Sequence, residues 1–138
     1  MANIMRFGGA SSSSIPNGTK WTKSNITSRS FCSVYNANGV WVAGSDSNYG
    51  LYYSTDGKTW TQSNITSGSF YSVYNANGIW VAGSNYGGNN GLYYSTDGQT
   101  WIQSNITSGG FKSVYNANGI WVAGSSNYGL YYSVSWEA

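Results

Sequence analysis

From residue 70 the chain reads FYSVYNANGIWVAGS. Phe70, Ser72 and Tyr74 alternate with Tyr71 and Val73, the period-two pattern of a strand with two different faces. Asn77-Gly78 follows, the dipeptide that best accepts the positive φ angles of a two-residue hairpin turn. Residues 79–83, IWVAG, are nearly unbroken in apolar character and suit a strand covered on both faces. A Gly/Asn/Tyr loop leads to GLYYS at 91–95, and the turn TDGQT hands over to WIQSN at 101–105. The pattern predicts four short strands, A (70–76), B (79–83), C (91–95) and D (101–105). No stretch shows a helical period, and each apolar run is bounded by turn formers.

The same text recurs. SNITSGSFYSVYNANGIWVAGS (63–84) returns at 104–125 and, with small changes, at 24–45. Trp21, Trp60 and Trp101 are 39 and 41 residues apart, as are Phe31, Phe70 and Phe111, and Trp41, Trp80 and Trp121. A period of this length marks one supersecondary unit repeated along the chain. Residues 1–138 form a single repeat domain: an N-terminal segment (1–19), units at 20–59, 60–100 and 101–133, and a tail at 134–138. KWTKSN (20–25) is a lone D strand, and the last strand, at 129–133, is a C strand. The total is twelve strands, three complete units cut out of phase. The tail reads VSWEA where TDGKTW would stand, which points to the end of the array.

STDGKTW (54–60) and STDGQTW (95–101) resemble the Asp-box, or BNR repeat, Ser-x-Asp-x-Gly-x-Thr-Trp, one residue shorter between Asp and Gly. The resemblance extends over residues 17–133. It implies the C-to-D hairpin of a sialidase-like β-propeller blade, of a kind also similar to repeats of bacterial and phage-tail proteins. Asp56 and Asp97 then accept backbone N–H groups within the turn, Gly57 and Gly98 supply its special backbone position, and Trp60 and Trp101 pack the hairpin end on the next blade. Asn17 stands at the Asp position of the first copy and can accept the same bonds. Sialidase chemistry does not carry over. The family needs an arginine cluster, a Tyr–Glu nucleophile pair and an acid. This chain has only Arg6 and Arg29 as arginines, and only Asp46, Asp56, Asp97 and Glu137 as acids.

The fold class expected is therefore all-β, a β-propeller of four-stranded blades with three blades per chain. Propellers have four to eight blades, and three leave an unpaired edge that invites a partner. The N-terminal D strand can pair with the last C strand of another copy, so two chains close a six-bladed ring as a strand-swapped homodimer. The alternative is a monomeric β-trefoil, which also has twelve strands in three units.

Composition narrows the chemistry. Only 7% of residues are charged, yet aromatics reach 17%, enough apolar surface to order the chain. Net charge is +2 and the six basic residues are scattered, so nucleic acid is not an expected partner. No apolar run has the length of a membrane span, and the N-terminal residues lack a signal peptide's apolar stretch. That reading gives cytoplasmic synthesis, with virion association as a further setting. There is no His, and Cys32 has Tyr71 and Lys112 as repeat counterparts, a core or channel position. No catalytic residues, metal or cofactor are expected. The Asn-x-Ser/Thr sequons at Asn17, Asn25, Asn64 and Asn105 read as turn and strand polarity. Trp41, Trp80 and Trp121 read as core.

A non-catalytic binding role remains. The B–C loops, 45–50, 84–91 and 125–129, differ in length but each keeps Asn-Tyr-Gly. The ligand-binding candidates are Asn48, Tyr49, Asn85, Tyr86, Asn127 and Tyr128: Tyr as a stacking platform for a sugar ring, Asn as the partner of its hydroxyls. The function expected is lectin-like recognition, with glycans or a cell-surface receptor as partners beside the chain itself. The alternatives are a protein-interaction or phage-tail scaffold, natural or engineered, and a plain turn at each Asn-Tyr-Gly.

Overall fold

The computed structural model describes residues 17–86 and 90–134, and Tyr86 by its backbone only. The Asn-Gly pairs set the first level of structure. β1 (Phe31–Ala37) turns into β2 (Val40–Ser45), β5 (Ser69–Ala76) into β6 (Ile79–Tyr86), and β9 (Phe111–Ala117) into β10 (Ile120–Ser125). In each turn both residues have positive φ, as at Asn77 (53°) and Gly78 (80°), the geometry that lets two strands leave a two-residue turn with native twist. β3 (Leu51–Ser54), β7 (Gly91–Ser95) and β11 (Leu130–Ser133) add as third strands. β4 (Thr61–Gln62) and β8 (Ile102–Gln103) form short fourth strands.

The result is all-β, with no helix among the described residues. The sheets are antiparallel meanders ordered β1-β2-β3-β4, β5-β6-β7-β8 and β9-β10-β11. Every ladder among the described residues joins strands of one sheet. A trefoil would pair strands of different units around a barrel, and no such pairing is present among the described residues. Eleven strands stand against the twelve expected. Residues 20–25 are not a strand, and among the described residues the third sheet ends at β11 with no fourth strand.

The second sheet lies between the other two. Between the first and second sheets, Val42, Leu51, Phe70, Val73, Trp80 and Trp101 form one buried cluster; between the second and third, Phe111, Val114 and Ala123 form a smaller one. Close approach depends on Gly83, where a methyl group would lie 2.9 Å from both Cβ and the carbonyl oxygen of Phe111. The inner strands carry a column of rings. Tyr35, Tyr74 and Tyr115 follow one another at 4.7 Å, and Trp80 and Trp121 meet Tyr35 and Tyr74 edge-on at 6.1 Å.

The three equivalent tryptophans are not equally core. Trp80 is buried between two sheets, Trp121 is half-buried beside the third sheet, and Trp41 is 37% exposed on the outer face of the first. Trp80 packs on Tyr35 of the first sheet and Trp121 on Tyr74 of the second, whereas no sheet precedes Trp41 among the described residues. A register shift skips Cys32, Tyr71 and Lys112 in β1, β5 and β9, so each sits on a bulge outside the face alternation. This is why one repeat position tolerates three unlike residues. Cys32 is exposed as a whole, but its thiol donates to Phe70 O (3.1 Å) at the sheet junction. Partial burial, then the negative charge of Asp46, push that thiol up to about 11.

Candidate functional site

Two regions could do chemistry with a partner: the loop end of the sheets, and the seams between them.

At the loop end, the connection before β3 is held by side chains. Asn48 (φ 69°) accepts the Gly68 N–H at its side-chain oxygen, and its own N–H donates to Ser69 Oγ (3.1 Å). Ser45 Oγ accepts the Tyr49 N–H (2.9 Å), and the Gly50 N–H donates to Gly68 O (2.9 Å). The loop therefore stands against the segment entering β5. Tyr49 is 39% exposed, and the Arg29 guanidinium lies 4.2 Å from the centre of its ring. Arg29 itself has φ 84°, at the place where the later copies have Gly68 and Gly109. Among the described residues it is the only one besides Gly and Asn with positive φ, a strain of about 1–2 kcal/mol that ring stacking partly offsets.

In the third sheet Ser125 Oγ accepts the N–H groups of Asn127 (3.2 Å) and Tyr128 (3.0 Å), and Tyr128 is 66% exposed. The second sheet differs. Gly91 is the counterpart of Gly50: its N–H donates to Gly109 O (3.2 Å), as that of Gly50 does to Gly68 O. Gln103 Nε2 donates to Asn90 O (2.7 Å), as Gln62 Nε2 does to Tyr49 O (2.8 Å). Asn90, not Tyr86, thus takes the place of Tyr49. Asn85 lies earlier, at the seam, with its Oδ1 against Gly110. The side chain of Tyr86 falls outside the described residues. Of the six candidates, Tyr49 and Tyr128 occupy corresponding exposed places, Asn48 is engaged in holding its loop, and Asn85–Tyr86 do not form a third copy of the arrangement.

The 54–60 and 95–101 turns share one construction, and the second of them fills the seam between the first and second sheets. Asp56 Oδ1 accepts the N–H groups of Lys58 (2.8 Å) and Thr59 (2.9 Å) and the Ser54 hydroxyl (2.9 Å), while Ser54 Oγ accepts the Gly57 N–H (2.8 Å). Asp97 and Ser95 repeat this geometry. The backbone donors hold the Asp56 carboxyl down at about 2 and lower that of Asp97 as well. The ring N–H of Trp60 donates to Gly57 O (3.2 Å), and that of Trp101 to Gly98 O (3.1 Å). Trp101, 3% exposed, closes the seam between the first and second sheets.

Sequence reasoning missed what fixes that tryptophan. Asn64 Nδ2 donates to Trp101 O (3.0 Å) and Asn64 Oδ1 accepts the Trp101 N–H (2.7 Å). Asn25 grips Trp60 in the same way, at 3.1 and 2.7 Å. Two of the sequon asparagines are thus two-pronged clamps. The signal was the unchanged SNIT preceding every unit, which turn polarity alone does not require.

No family model matches the chain, and no curated protein matches it. Among solved structures, it is similar to the computationally designed Ika4 protein, with a TM-score of 0.56 at 12% identity over 75% of this chain. It is also similar to the computationally designed Ika8 protein, with a TM-score of 0.52 at 14% identity over 70% of this chain. The chain spans 65% of the first and 30% of the second, and at these identities the likeness is one of fold, an all-β assembly of repeated sheets.

Proposed function

We propose that the protein is a non-catalytic recognition module of the β-propeller kind, with three blades per chain closed to six by a second copy, binding carbohydrate-like ligands at its loop end. The observation that carries this reading is the pair Tyr49 and Tyr128, exposed in corresponding places on loops whose backbones are already pinned by Ser45, Asn48 and Ser125. A ring held in place before binding loses little entropy when a sugar stacks on it. Its surroundings of Asn, Ser and Gly are neutral hydrogen-bonding groups that match hydroxyls. The turn geometry at Asp56 and Asp97 supports the Asp-box resemblance and its structural role. Burial and the charge of Asp46 push the Cys32 thiol up to about 11, so it is protonated at neutral pH.

Glycan-array binding tests this. The intact protein is expected to show saturable binding that falls at least tenfold in the Tyr49→Ala/Tyr128→Ala variant, with unchanged circular dichroism. Silence across the array sinks the lectin reading. It would leave the second reading, a protein-interaction scaffold, which the engagement of Asn48 and the Arg29 cover on Tyr49 already favour.

A further inference from the structure

The chain carries the two halves of one seam at opposite ends. Between the second and third sheets lies a cleft of about 540 Å³ lined by Ile79, Val81, Asn105, Trp121, Tyr131 and Ser133. Each has a counterpart in the filled seam between the first and second sheets. Ile79 and Val81 correspond to Val40 and Val42, and Trp121 to Trp80. In the filled seam Gly98 of the 95–101 turn sits on Val40, Val42 and Trp80, all within 3.2 Å of where its Cβ would lie. Asn105 corresponds to Asn64, but it is exposed and grips no tryptophan among the described residues. Ser133 corresponds to Ser54 and Ser95, which are buried under their turns, whereas Ser133 is exposed. Among the described residues every part of the seam is present except the turn that fills it.

That turn exists at residues 17–21. Trp21 Nε1 donates to Gly18 O (3.0 Å), as Trp60 and Trp101 do to Gly57 and Gly98, and Gly18 has the same positive φ (90°). Yet Trp21 is 83% exposed, the extreme among the large apolar side chains described. The turn cannot serve its own chain without leaving the first sheet. Asn25, four residues on, is fixed there to Trp60, and the cleft lies beyond the second sheet.

We propose that the cleft receives the 17–21 turn of a second copy of this chain: Trp21 of one copy enters between the second and third sheets of the other, where Asn105 clamps its backbone N–H and C=O. Ser133 of the receiving copy and Asn17 and Gly18 of the entering copy then form one turn from two chains. The Ser133 hydroxyl accepts the Gly18 N–H as Ser54 Oγ accepts that of Gly57. The contact is head-to-tail, so it ends only when the ring closes. Two copies give six sheets, the one multiple of three within the four to eight that such rings hold. The outer faces then cover each other, Ile120 and Val122 of one copy meeting Trp60 of the next, as Val40 and Val42 meet the 95–101 turn within the chain. This inference rests on the ring reading above and names its contact.

Light scattering on a sizing column, over a dilution series of the full chain, separates the two. The intact protein is expected to run at twice 14.9 kDa. Trp21→Ala is expected to raise the dimer dissociation constant at least a hundredfold and Asn105→Ala at least tenfold. Neither residue makes a packing contact that one chain alone needs, so the strand signal in circular dichroism should persist in both; Asn105→Ala keeps every tryptophan and covers the case in which Trp21→Ala fails to fold. A dimer that both variants leave intact would overturn the clamp and spare the ring. A monomer or a trimer of the intact chain would overturn both.

Discussion

Asp56 and Asp97 hold their turns more firmly ionised than protonated. Backbone N–H groups pointing at the charge lower both carboxyls from the ordinary value near 4, Asp56 to about 2. A lowered folded value stabilises the protein fully above the unfolded value, and the contribution disappears as pH falls through the folded one. Stability measured by urea should therefore hold from neutrality to about pH 5 and drop between about pH 4 and pH 2. Asp56→Asn with Asp97→Asn should flatten that drop, since an amide oxygen accepts the same bonds, as Asn17 is placed to do. A drop of the same size in the variant would mean that other groups cause it. Gly98 is a second residue whose chemistry is fixed by place. It has φ 77° and a methyl group there would press on Val40, Val42 and Trp80 at 3.1–3.2 Å, whereas Gly39 has φ 78° with nothing near. Gly39→Ala should cost about 1 kcal/mol, from the backbone alone. Gly98→Ala should cost about 2–4 kcal/mol, because Val40, Val42 and Trp80 must also yield. Equal costs in urea melts would show that the seam is looser than its distances imply.

Strands and turns were the most legible level. Asn-Gly marked every A–B hairpin, and the alternation in FYSVYNA placed β5 within a residue. What could not be read locally was which elements meet. Asn64 lies 37 residues from Trp101, and its role exists only once two sheets are stacked. Its loss should cost about 1–3 kcal/mol, two backbone bonds at a buried seam. Asn105→Ala should leave the urea midpoint unchanged under conditions where the chain is monomeric. If the two substitutions cost the same there, the clamp has no energetic meaning. The loops misled for a related reason. Asn-Tyr-Gly recurs in the letters, but alignment in space follows the glycine before each C strand, and that glycine is Gly91, with Asn90 before it.

At the scale of the molecule, the all-β class and the separate repeated sheets were evident from the period. The sequence did not show how uneven three near-identical units become when only the middle one has neighbours on both sides. Trp80 is buried while Trp41 is 37% exposed and Ile120 41% exposed on the two outer faces. The same letters are core in one copy and surface in another, which composition and period alone do not distinguish. With 7% charged residues, those faces carry little to keep them apart. The loop end is affected too, since Tyr49 and Tyr128 belong to the two outer sheets.

The Asn-Gly turns also give the protein a chemical clock. Asn38, Asn77 and Asn118 are exposed, each followed by a glycine that leaves the next backbone nitrogen unhindered, the arrangement most open to loss of the amide as ammonia. Asn17-Gly18 and Asn90-Gly91 have the same makeup. Each event adds a negative charge and, when the chain reconnects through the side chain, a methylene to a turn whose two-residue geometry sets the register of two strands. Conversion at all five sites would carry the chain from a net charge of +2 to a negative one. Old and freshly made molecules would then differ in charge, hairpin by hairpin, at the turns from which every sheet begins.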